Sequence, residues 1–79
     1  MYILGNDSSS QNLCTEINKI FDIQGFITIT NGNCKLITES SVSDFTHENS
    51  NKYILATNSL LKRLEFINYF NKREKDLAS

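Results

Sequence analysis

The side chains able to do chemistry are few and scattered. Cys14, Cys34 and His47 are the soft metal ligands in the 79 residues. A structural zinc takes about four ligands, usually in closely spaced pairs. Two cysteines twenty residues apart with one histidine do not make that set. Buried thiols are the expected state, since reduced cysteine behaves as a small apolar residue. A disulfide is open to them only in an oxidising compartment. Cys14 and His47 form a nucleophile–base pair on paper, but Cys14 sits beside an apolar helical stripe, where burial keeps a thiol inert. Asp7 and Glu16 could share a site, yet two acids in an acidic half carry little information. The three glycines are dispersed, so no phosphate loop is present. No serine sits in a strand-to-helix elbow. The sequence therefore assigns no catalytic residue, no metal and no cofactor, and is read as that of a non-enzyme.

Charge points weakly to a partner. The net charge is −1, which is no footprint for tight nucleic-acid binding. Its distribution is uneven: residues 1–51 hold two basic against six acidic residues, and residues 52–79 hold six basic against three acidic. The basic half could face phosphate, or it could be a solvated helix whose cations sit near the negative end of its dipole. No run of 18 apolar residues exists to span a membrane. The start, MYILGND, has neither the basic flank nor the apolar length of a targeting segment. The expected location is intracellular.

These residues must be positioned by one small domain spanning 1–79. A chain this short buries only about 60% of its unfolded surface. Tyr2-Ile3-Leu4 reads as a buried strand closed by the turn signal Gly5-Asn6-Asp7. Ser8 to Gln11 matches a capping box. Leu13, Ile17, Ile20 and Phe21 then predict an amphipathic helix of about four turns that stops near Gly25. FITIT and NCKLIT flank Asn31-Gly32, which predicts a type I′ hairpin. Its register puts Ile27, Ile29, Cys34 and Leu36 on one face and Thr28, Thr30, Asn33 and Lys35 on the other. Residues 39–51 read as a surface loop, with Phe45 available to tack it down. Lys52–Thr57 reads as a strand. Asn58 reads as the cap of the longest helix, whose stripe Leu60, Leu64, Ile67 and Phe70 keeps helical spacing. Phe66 and Tyr69 fall off that stripe. They are either the edges of a broad buried arc or a second apolar contact. The fold class is α+β: a β-α-β-β-β-α domain with two helices packed on one face of a mainly antiparallel sheet.

Two segments resemble the LAGLIDADG homing-endonuclease family. YILGNDSSSQNLCTEINKIFDIQGFITI resembles a strand, central helix and following strand of its subdomain, with Leu13, Ile17 and Phe21 at the helix positions. KYILATNSLLKRLEFINYFNK resembles the closing strand and helix, with Tyr53, Leu64, Ile67, Phe70 and Lys72 near the pattern. The helix that names the family would have to precede Met1. With it would go the acidic residue that binds the catalytic metal, so no catalytic or metal role carries over. The family's Tyr-Pro-Leu is replaced by Asn71-Lys72-Arg73-Glu74. The resemblance implies a truncated, non-catalytic module with a nucleic-acid-facing sheet, mitochondrial if the relation holds and cytoplasmic otherwise.

Two functions follow as expectations. The first is a weak RNA- or DNA-binding module that uses Thr28, Thr30, Asn33 and Lys35, with Lys52 nearby. The second is a protein partner or a second copy of the chain, docked on the C-terminal helix through Phe66 and Tyr69, with Lys62 and Arg73 at the rim.

Overall fold

The computed structural model describes residues 1–46 and 51–72. Its elements are β1 (Tyr2–Leu4), α1 (Ser8–Ile17), β2 (Gly25–Thr30), β3 (Asn33–Ile37), β4 (Val42–Phe45), β5 (Tyr53–Leu55) and α2 (Leu60–Lys72). The five strands form one sheet in the order β4-β3-β2-β1-β5. The domain is α+β, with its helices packed on that sheet. β1 runs parallel to both β2 and β5, whereas the β2–β3 and β3–β4 pairs are antiparallel. The sheet is thus mixed rather than mainly antiparallel.

The hairpin forms as its turn chemistry requires. Asn31 and Gly32 take φ of 53° and 77°, the two positive angles of a type I′ turn. Thr30 opposes Asn33, Ile29 opposes Cys34 and Thr28 opposes Lys35. β4 lies within the segment expected to be a loop. It does not alternate, because Val42 and Phe45 point to opposite faces. Thr38 and Ser41 close the turn before it, with Thr38 N donating to Ser41 O at 2.9 Å. Phe45 holds it down, with its ring 5.2 Å from that of Tyr2 and 6.1 Å from that of Tyr53.

α1 stops at Ile17 rather than near Gly25, which instead opens β2. The crossover explains the stop. Ten helical residues already span about 15 Å, longer than the three-residue strand beneath them. The chain turns at Asn18, leaving Ile20 77% exposed. Asp7, not Ser8, caps the helix.

The two helices lie on opposite faces. Leu4, Ile27, Ile29, Cys34, Tyr53 and Leu55 form the core with Phe66, Tyr69 and Phe70 of α2. The opposite face carries a row across all five strands: Ile54, Ile3, Phe26, Ile37 and Val42. Ile3 is fully buried yet outside the main core. Cys14 and Asn18 of α1 share a groove with Phe26 and Ile37. One face for both helices was expected because only the hairpin was read for alternation. α1 belongs to the parallel crossover from β1 to β2, a connection that must pass over one face of the sheet, whereas α2 follows β5 and packs on the other.

α2 is rotated from the expected stripe. Phe66, Tyr69 and Phe70 are 1%, 6% and 0% exposed, whereas Leu60, Leu61 and Leu64 are 70%, 75% and 49% exposed. The rings that fall off the leucine stripe are the buried ones: Phe66 and Tyr69 pack in the domain's own core, the broad buried arc. Burying rings removes more apolar area from water than burying leucines. Two side chains pin the rotation: Lys62 Nζ donates to Ile29 O at 2.6 Å and Arg63 Nη1 to Thr57 O at 3.2 Å. Ser59 rather than Asn58 caps α2, its hydroxyl accepting from Lys62 N at 3.4 Å.

Candidate functional site

The parallel strands β1, β2 and β5 all end at one side of the sheet. There β1 stops at Leu4, and Leu4 O accepts from both Ala56 N (3.0 Å) and Thr57 N (3.1 Å). Gly5 then turns the chain away with φ +126°. A Cβ at Gly5 would run into Ser10 Oγ and come within 2.7 Å of Thr57 Cβ. Only glycine meets both demands, the backbone angle and the close approach. β2 continues three residues beyond its last partner in β1. The carbonyl of Ile29 is met by the Lys62 ammonium instead.

This geometry leaves a crevice of about 570 Å³ lined by Gly5, Asn6, Asp7, Thr28, Ile29, Thr30, Thr57, Ser59, Lys62 and Phe66. Its volume lies within the range of small-molecule pockets. Asp7 is its best-held group. Oδ1 accepts from Ser10 N at 3.0 Å and Ser10 Oγ at 2.8 Å, and Oδ2 from Thr57 Oγ1 at 2.8 Å and Asn58 N at 2.9 Å. The Ser10 N–H leads in holding this carboxyl far below the ordinary carboxylate range, with the other three donors adding to it against the opposing effect of partial burial. Asp7 thus joins the β1–α1 turn to the β5–α2 loop as a carboxylate held by four donors. Lys62 shares its charge with Glu65 Oε2 at 3.2 Å.

The residues singled out from the sequence fall into separate places. Thr28, Thr30 and Lys62 meet in the crevice, with Phe66 as its apolar wall. Asn33 and Lys35 lie further along the hairpin, in a second groove with Asp44, Phe45 and Tyr69. Lys35 pairs with Asp44, whose carboxyl is lowered by that hydrogen bond and by the lysine's charge. Lys52 is not near Lys35. It precedes β5 at the far edge of the sheet, three strands from β3. Arg73 and His47 lie outside the described residues. Asp7, Ser10, Asn6 and Thr57 were missed as a group. Their signal was the pair of turn sequences GND and TNS after two YIL strands, which means little until the strands are known to run parallel.

Cys34 is buried and Cys14 half-buried, both as thiols. Among the described residues no group of three or more His, Cys, Asp or Glu could hold a metal, and no helix is long and apolar enough to cross a membrane. Compared with known proteins, the chain matches no family model, no curated protein and no solved structure.

Proposed function

We propose that this domain binds a small polar molecule, of nucleoside or sugar size, in the crevice at the ends of β1, β2 and β5. One observation carries the reading. A pocket of about 570 Å³ sits at the carboxyl ends of parallel strands and is lined by Asn6, Thr28, Thr30, Ser59 and Lys62. In open sheets of this kind, ligands enter outside the carboxyl ends of the strands, where successive connections leave on opposite faces. Here β1 leads into α1 on one face and β5 into α2 on the other. An ammonium has three donors, and Lys62 directs two of them to Ile29 O and Glu65. The third is available to a ligand acceptor. Titration of nucleosides and simple sugars should shift the backbone amides of Asn6, Thr28, Thr30 and Ser59 saturably. Lys62→Met should weaken the best ligand by about 10- to 100-fold, the scale of one hydrogen bond to a charged group. If every ligand in the panel leaves these amides unmoved, the reading is wrong.

The nucleic-acid reading rests on a basic sheet face. Lys35 pairs with the exposed Asp44, and Lys52 stands before the edge strand β5, three strands away, which gives that reading less support. Docking through α2 keeps better support, from different side chains: Leu60, Leu61 and Leu64 are exposed together, and such patches favour association. Sedimentation at tens of micromolar should show a concentration-dependent mass that serine at all three positions abolishes. A wild type that sediments as a monomer removes self-association through α2.

A further inference from the structure

A crevice of this kind ordinarily receives an anion where a helix begins, since unpaired N–H groups and the helix dipole favour negative charge there. In this chain that position is already filled. Four donors from the first turn of α1 and the β5–α2 loop converge on one carboxylate: Ser10 N, Ser10 Oγ, Thr57 Oγ1 and Asn58 N, all within 3.0 Å of Asp7 oxygens. The arrangement exceeds a helix cap. Ser10 and Thr57 are 0% and 3% exposed, and both hydroxyls aim into the position. Asn58 lies fifty-one residues from Asp7 along the chain. No donor of the set is left over for a ligand. The nearby cations are already engaged in part, Lys62 Nζ with Ile29 O and Glu65 and Arg63 Nη1 with Thr57 O, which leaves one ammonium N–H of Lys62 for an uncharged acceptor.

We propose that Asp7 is the specificity-determining residue of the crevice. It fills the anion position with the chain's own carboxylate, so the ligand is an uncharged or cationic polar molecule and phosphate esters are turned away. This inference rests on the crevice being a ligand site, and it sharpens that reading by naming the class of ligand. The structural consequence is that removing the carboxylate opens a four-donor anion hole.

The test uses inorganic phosphate and formate as probes, with the amides of Ser10 and Asn58 as reporters. Wild-type protein should show no saturable shift of either amide with phosphate up to tens of millimolar at constant ionic strength. Asp7→Gly, which keeps an acceptable cap and releases all four donors, should show saturable shifts with both anions. Its lowered melting temperature should rise with formate and not with chloride. Should Asp7→Gly fail to fold even with formate, Asp7→Ser is read in the same way, since its shorter side chain still releases Thr57 and Asn58. Phosphate binding at these amides in the wild type overturns the proposal, as does a folded variant that binds neither anion. A nucleoside monophosphate that binds the wild type more tightly than its nucleoside overturns this inference alone and leaves the crevice reading standing. Gain of anion binding in the variants, with no uncharged or cationic ligand found for the wild type, overturns the crevice reading and the ligand class with it, and leaves only the filling of the anion position by Asp7.

Discussion

Phe70→Ala is expected to remove most of the domain's stability. Phe70 is fully buried and packs on Tyr53 and Tyr69 at ring centroid distances of 4.9 and 5.1 Å. Truncating such a ring leaves a cavity and forfeits its transfer energy, about 3–5 kcal/mol. A domain of 79 residues has only about 4–12 kcal/mol to lose, at the usual stability per residue. Urea denaturation measures the loss directly. Leu61→Ala is the matched control: its side chain is 75% exposed, and exposed substitutions stay within about 0.5 kcal/mol. The comparison reads the rotation of α2. A larger loss at Leu61 than at Phe70 would put the leucine stripe, not the rings, against the sheet.

Asp7→Ala is expected to have the second-largest effect, about 2–4 kcal/mol. Loss of an N-cap contributes about 0.5–2 kcal/mol. The rest comes from the Ser10 and Thr57 hydroxyls, buried and left without their acceptor, at about 1–3 kcal/mol for an unsatisfied buried group. The same carboxylate sets an acid dependence. Its folded pKa is lowered from the ordinary carboxylate value by the Ser10 N–H and the other donors, so its contribution is complete above that ordinary value and lost as pH falls toward the folded one. Stability of the wild type should therefore decline below about pH 5 and go on declining through pH 3. Asp7→Asn, which cannot ionise, should be less stable at pH 7 and lack that part of the slope. Denaturation midpoints at pH 7, 5, 4 and 3 decide it, and parallel profiles for the two proteins would remove Asp7 as the cause. Asp44 is also lowered, by Lys35, but it is fully exposed and its pair is screened.

The local features were legible and the long-range ones were not. The Asn31-Gly32 hairpin follows from two residues whose backbone preferences are extreme, so its register could be written residue by residue. The face of α2 could not. Leu60, Leu64, Ile67 and Phe70 form a helical stripe, and so do Lys62, Phe66, Tyr69 and Phe70. Periodicity alone does not choose between them. The choice depends on Lys62 and Arg63 reaching the carbonyls of Ile29 and Thr57. β4 left no trace because its apolar ends face opposite ways. Asp7 was visible as a turn residue, but its partner Thr57 is fifty residues away. The pairing of β1 with both β2 and β5 was equally hidden, since nothing in a three-residue strand states its neighbour's direction.

The position of β1 bears on how the chain comes off the ribosome. One edge of this strand can be matched as soon as β2 exists. Its other edge waits for Tyr53–Leu55, and the face of Leu4, Ile27 and Ile29 waits for the rings of α2. Until α2 emerges, the nascent chain holds a half-built sheet with its greasiest surface open to solvent or to a chaperone. Such late, distant pairing slows folding. It also makes the act all-or-none, because no earlier stopping point buries that surface.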